Sequence, residues 1–355
     1  PARGPLGGRL QAALCAARRE AGLRSRAGRC AQTAAGGATV IEQVFNLAFF
    51  TGLIAATMRM ATPIMFATLG EILTERAGVL NLGIEGIMLM GAMTGFLVTF
   101  TTGSLWVGVL AAALVGMALS LLMAFLAVYL GLSQHVSGLG ITLFATGLAM
   151  FVYRLHFGSP LVPPTVQPFG KLTIPLLSRI PLIGDGLFNQ YLLTYVAWLL
   201  VPALTLLLQK TQVGLKIRTV GENPLAADTV GVNVNLTRTL CLVAGGALMG
   251  IGGSFLTLAH QNMFLIDVIG GRGWVSIAMV IFGNWDPLKG VLGAVIFGFL
   301  DGLQLRLQGL GIRVPFDIFL MIPYLMTIVV LVGVSRRATV PAGLLKPYRR
   351  EERGG

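Results

Sequence analysis

The chain has 355 residues, 55% of them hydrophobic and 11% charged, with a formal net charge of +12. A soluble domain carries roughly 25% charged residues, so this composition, with a mean hydropathy of +0.81, excludes an ordinary soluble enzyme and indicates a polytopic membrane protein. Nor does the charge indicate nucleic acid, because it gathers at the two ends, from Arg3 to Arg29 and from Arg336 to Arg353.

Basic residues beside membrane spans stay on the cytoplasmic side, which places both ends inside. Lys210, Lys216, Arg218 and Arg238 mark a third cytoplasmic segment. Residues 1–40 lack the apolar centre of a secretory signal and read as a disordered Arg-rich tail upstream of a natural start near Val40. Residues 41–335 form the transmembrane domain, and 336–355 a basic cytoplasmic tail.

In chain order, a first span covers about Val44 to Met58, and a second runs from Pro63 to Leu73 after a turn at Arg59. Glu71, Glu75 and Arg76 then mark a polar boundary. The third span, Ile84 to Phe100, is entered through Asn81-Leu82-Gly83-Ile84-Glu85-Gly86. An irregular backbone in a bilayer must lie at an interface, in protein or beside a wet cavity, so this break is the first candidate for lining a path. Gly86, Gly91 and Gly95 either line it or let helices approach closely.

The fourth span is Leu105 to Leu130 and the fifth Val136 to Tyr153. Gly158 to Asn189 contains six prolines, which deny it a continuous helix and make it an external loop. Tyr191 to Leu208 is the sixth span. The connection 209–236 contains a short helix over 224–230, with Asn223 as N-cap, Pro224 in the first turn and Gly231 at the stop. Thr239 to Leu258, glycine-rich, is the seventh. The eighth, Trp274 to Phe282, is too short to cross alone and opens after Gly270-Gly271-Arg272-Gly273. Pro287 to Leu307 and Phe316 to Val334 complete the set.

The expected fold is therefore all-α, with about ten transmembrane helices, some of them broken. The breaks at 81–95 and 270–283 also suggest an inverted repeat of two halves, because paired broken helices point to a path near the bilayer midplane. Asn81, Glu85 and Trp274 are the candidates for lining it. Asp301 joins them, since a carboxylate within a span is costly against lipid.

No nucleotide-binding loop, G-x-S-x-G elbow or metalloprotease motif occurs, and no cofactor or metal is expected. Three cysteines and three histidines, widely spaced, form no metal or disulfide pattern. Met60, Met65, Met88, Met90 and Met93 read as adaptable packing. If transport here uses ATP, another polypeptide binds it.

Three stretches carry a resemblance. Gly221-Glu222-Asn223-Pro224-Leu225-Ala226-Ala227-Asp228-Thr229-Val230-Gly231 resembles the coupling loop of permeases in the ribose and branched-chain amino acid class of ABC importers. Gly70 to Gly86 and Gly273 to Trp285 resemble the two signatures of the nucleoside and simple-sugar branch. The resemblance implies a permease that pairs with a second related permease and receives nucleosides or a simple sugar from an extracytoplasmic lipoprotein. A cytoplasmic ATPase would dock on Gly221, Glu222, Asn223, Pro224, Ala226, Ala227, Asp228 and Gly231. It also implies alternating access in a bacterial plasma membrane. An ion-coupled secondary transporter working alone is the alternative, since broken helices with Asn81 and Glu85 also suit that chemistry.

Overall fold

The computed structural model describes residues 47–173, 184–309, 316–335 and 339–348. The whole Arg-rich first tail, the basic residues Arg179, Arg336, Arg337, Arg349, Arg350 and Arg353, and the start of the first expected span lie outside them. The chain divides into two compact units, Pro1–Gly52 and Leu53–Gly355. Of the first, the described part is the opening of a helix; everything below concerns the second.

Among the described residues, seven helices are long and apolar enough to cross a membrane. Helix α1 is Leu47–Arg76 and α2 is Ile84–Thr102. Helix α3, Leu105–Ala124, continues into a π turn, Phe125–Tyr129, and α4 is Gln134–Phe157. After strand β1, Lys171–Thr173, come a short helix α5, Gly184–Phe188, strand β2, Asn189–Tyr191, and α6, Leu192–Lys210. Helices α7, Gln212–Glu222, and α8, Pro224–Thr229, fill the next connection. Helix α9, Val234–Phe255, ends in a second π turn, Leu256–His260. Then follow α10, Arg272–Phe282, α11, Pro287–Gly309, and α12, Phe316–Ser335.

Two expectations change. The Arg59 turn is absent, because α1 runs unbroken through it. Pro63 lacks the N–H that would bond the Arg59 carbonyl, and membrane helices continue through a proline whose freed groups are met locally. The proline-rich loop is also less irregular than expected. β1 pairs antiparallel with β2, Lys171 opposite Tyr191, and the loop is bonded to the end of α9 by the N–H groups of Val166 and Phe169, which donate to the Asn262 and Leu258 carbonyls.

Helix α9 is the axis of the packing. Its glycines let other backbones come close: a Cβ on Gly245 would lie 2.7 Å from the Gly70 carbonyl of α1, and one on Gly253 would run into the Met88 carbonyl of α2. Gly91 faces Gly250, and Gly116 of α3 faces Gly246. Without a hydrophobic drive between helices in lipid, such close van der Waals contact holds a bundle together. The glycines Gly86, Gly91 and Gly95 thus pack: Gly86 lies against Thr142 of α4 and Gly95 against Ser254 of α9. The five methionines are buried. Leucines such as Leu110, Leu143, Leu155, Leu199 and Leu292 cover the outside.

A methyl group at Gly253 is therefore expected to destabilise the bundle by about 1–3 kcal/mol, the range for overpacking. Gly253→Ala should lower the Tm in a detergent thermal-shift measurement, whereas Gly140→Ala, which meets open space, should leave it unchanged.

Candidate functional site

The first broken segment is closed by side chains. Between α1 and α2 the Asn81 N–H donates to Glu71 Oε1 (2.8 Å), the Gly83 N–H to Asn81 Oδ1 (3.1 Å) and the Leu80 N–H to Gln134 Oε1 (2.8 Å). Thr142 Oγ1 donates to the Leu82 carbonyl (3.1 Å). Every one of these partners lies in α1, α4 or the break itself, as a backbone without water requires.

The second break is held by the first. Gly270 and Gly271 adopt φ of +56° and +79°, which glycine reaches without steric cost, and these values turn the chain into α10. The exposed N–H groups at that helix start need acceptors. Glu85 supplies them, accepting from Gly271 at 2.9 Å and Gly273 at 2.8 Å. A carboxylate at a helix N-terminus also meets the positive end of the helix dipole. A Cβ on Gly273 would lie 2.6 Å from Glu85 Oε2, so only glycine admits the contact.

Around this joint Arg272 Nη2 pairs with Asp301 Oδ2 at 3.1 Å, while its Nη1 donates to the Ile269 carbonyl. The Tyr324 hydroxyl of α12 donates to the Gly270 carbonyl at 2.7 Å. Trp274, next along α10, is 38% exposed. The structure thus gathers Glu85, Trp274 and Asp301 at one place, through Arg272. Asn81 is not with them: it is fully enclosed and shapes the break.

The opposite end of α10 is clamped to α1. Asn284 and Trp285 carry φ of +51° and +57°, which asparagine tolerates and which is rare for a side chain as bulky as tryptophan. Trp285 Nε1 donates to Glu75 Oε2 at 2.6 Å, and Arg76 Nε donates to the Trp285 carbonyl at 2.9 Å. Glu71 and Glu75 are therefore interior groups and not the polar boundary expected, because each satisfies a donor from an irregular stretch. Trp285 and Arg272, which lie in or beside the second signature, join the site on contacts that the sequence pattern does not show.

The 209–236 connection forms a compact knob. Asn223 Oδ1 accepts from the Ala226 N–H at 3.0 Å and caps α8, Pro224 occupies its first turn, and Gly231 follows at φ +84°. Ala227, at 2% exposure, packs with Val220 and Val234, and Gly221 lies against the Arg76 carbonyl. These two seat the knob. Glu222, Asn223, Ala226 and Gly231 are exposed, Pro224 and Asp228 partly so. Leu225 at 52% and Val230 at 77% project beside them. Helix α7 was not expected; its apolar residues Ile217 and Val220 carry the pattern that reveals it.

The sequence profile of the family described as branched-chain amino acid transport system / permease component matches residues 53–331. The chain belongs to this family. TsgC13 of Haloferax volcanii, a permease protein provisionally assigned to a glucose ABC transporter, is 40% identical over 86% of this chain and 99% of its own. The guanosine ABC transporter permease protein NupQ of Bacillus subtilis is 34% identical over 85% and 97%. The nucleoside ABC transporter permease protein NupC of Lactococcus lactis is 34% identical over 81% and 94%. No solved structure matches the chain. The family and these relatives make the protein an ABC transporter permease, a transport component and not an enzyme; the ion-coupled alternative gains no support from them.

Glu85→Ala leaves the N–H donors of Gly271 and Gly273 without acceptors, at about 1–3 kcal/mol each where they are buried. Hydrogen exchange across residues 268–276 should accelerate, read by mass spectrometry on purified protein, while exchange in α3 stays as it was.

Proposed function

We propose that this chain is a permease of an ATP-driven importer for nucleosides or simple sugars, working by alternating access with a second related permease. The observation that carries the reading is the direct bond between the two signature segments, Glu85 to the start of α10. Two broken elements meeting at one point form the arrangement expected of a translocation path. Glu85, Trp274 and Asp301 line that path, with Asn81 holding the break behind them. Carboxylates, an indole and a tyrosine hydroxyl offer hydrogen bonds and a stacking face to a sugar or a base. The substrate class rests on what the relatives are named for.

An 11-residue α10 rises about 16 Å, roughly half the thickness of a hydrocarbon core. This supports a half-span ending near the midplane, within a topology of about ten crossings and two halves in inverted repeat. Both termini lie on the cytoplasmic side of a bacterial plasma membrane, as the basic residues of the knob and tails indicate. An extracytoplasmic binding lipoprotein delivers the solute.

The knob receives a cytoplasmic ATPase. Glu222, Asn223, Pro224, Ala226, Asp228 and Gly231 form the contact surface with Leu225 and Val230, and Gly221 and Ala227 anchor it from beneath. Exposed apolar side chains gathered on one face mark an interaction surface. ATP binding elsewhere shifts the equilibrium between outward and inward openings, to the extent that the ATPase prefers one of the two.

Leu225→Arg should lower the ATPase retained on the purified permease by about tenfold, equivalent to 1.4 kcal/mol, with membrane insertion intact. Retention equal to the wild type would remove the knob from the interface. Trp274→Ala should reduce solute uptake in proteoliposomes while leaving ATPase retention unchanged.

A further inference from the structure

The segment 339–348 lies across the knob, making few bonds of its own and many to the rest of the chain. At one end the Thr339 N–H and hydroxyl both donate to Asn284 Oδ1, at 2.8 and 3.1 Å. In the middle the Ala342 N–H donates to Glu222 Oε2 at 3.2 Å, and the Gly343 N–H to the Gly221 carbonyl at 2.8 Å. A Cβ on Gly343 would lie 2.8 Å from that same carbonyl. At the far end Tyr348 packs on the cluster of Val220, Ala227 and Val234 beneath α8, and Leu344 on the cluster that holds Trp285.

Arg238 fastens this arrangement. It is 1% exposed, and its guanidinium is met by carbonyls: Nε donates to Ala77 (3.2 Å), Nη1 to Lys346 (3.1 Å) and Nη2 to Gly343 (3.4 Å). The rigid fork of an arginine suits such divergent acceptors. One side chain of α9 thus joins the end of α1 to the 339–348 segment.

We infer that residues 339–348 are a strap through which movement of the knob reaches the turn between α10 and α11, with Asn284 the positioning residue at the receiving end. The inference rests on the knob being the ATPase dock. The contacts run without a gap: α8 and Glu222, then Ala342 and Gly343, then Thr339, then Asn284. Asn284 is continuous with α10, whose other end is held by Glu85. Displacing the knob pulls on the strap, and the strap acts on the half-helix that lines the path. Tight packing makes such contacts switch between discrete arrangements instead of yielding gradually.

The position of Asn284 allows a clean test. At φ +51° glycine fits the backbone without strain, so Asn284→Gly removes the acceptor for Thr339 and leaves the turn able to form. Asn284→Asp keeps an acceptor oxygen and tolerates the same conformation. Each is made in a chain whose three cysteines are replaced by alanine and that carries Trp274→Cys as a reporter at the start of α10. The permease is purified with its ATPase, identified by 8-azido-ATP labelling, and the rate of maleimide labelling is measured with and without ATP and vanadate.

With Asn284 present, trapping the nucleotide state should change the labelling rate at least about fivefold, the size of a typical coupling between sites. Asn284→Gly should cut that change by about half or more while the ATPase remains bound and hydrolyses ATP, since Leu344 still packs on the cluster that holds Trp285 and Arg76 still bonds the Trp285 carbonyl, and Asn284→Asp should keep it. A full nucleotide response in Asn284→Gly, or no response with Asn284 present, overturns the strap. Loss of the ATPase from Asn284→Gly overturns it too, since Asn284 would then serve docking. A complex that keeps its ATPase in Leu225→Arg instead refutes the dock itself.

Discussion

The structure depends on one carboxylate. Glu85 leaves the first turn of α2 and accepts the N–H groups that open α10, joining segments 186 and 188 residues apart in sequence. A bilayer offers no water to a broken helix, so a half-span can exist only if protein completes its hydrogen bonds. Remove that acceptor and two N–H groups at the start of α10 lose their partners. The pairing of Arg272 with Asp301 and the bond from Tyr324 to Gly270 then build outward from a helix start already fixed in place.

A second joint secures the other end of α10. Trp285 reaches Glu75 and Arg76 reaches back to Trp285, so α1 grips the turn that Glu85 faces from the opposite end. The two joints together tie both ends of α10, the helix of the second signature, to the first signature. Helix α9, threading between α1, α2 and α3 on its glycines, supplies the rigid surround.

Much of this was legible in the sequence, for reasons specific to each element. The boundaries of α3, α4, α6 and α11 follow from apolar length and nearby turns, and Asn223, Pro224 and Gly231 announce α8 through the ordinary chemistry of helix ends. Glu85, Trp274 and Asp301 could be singled out because polar groups stand out within apolar runs. That Glu85 caps a helix in the other half could not be foreseen, since the partners are backbone N–H groups and carry no side-chain signature. Glu71 and Glu75 misled for a related reason: a carboxylate near a span end resembles a solvated boundary until its donors, here the Asn81 N–H and the Trp285 indole, are located. Arg59 suggested a turn because one charge in an apolar run does, yet the helix around it bonds to itself regardless. The 339–348 segment gave no sign, being read only as basic.

Position 285 shows two demands in conflict. Its backbone takes a conformation that a residue without a side chain would accept at ease, yet a glycine there would strand the Glu75 oxygen that the indole now satisfies. A bulky ring is held in a shape it resists, at about 1–3 kcal/mol, while its indole N–H meets that acid. Any rearrangement that parts the indole from its acid hands this tension back to the peptide chain, so the clasp between α1 and α10 is loaded towards opening.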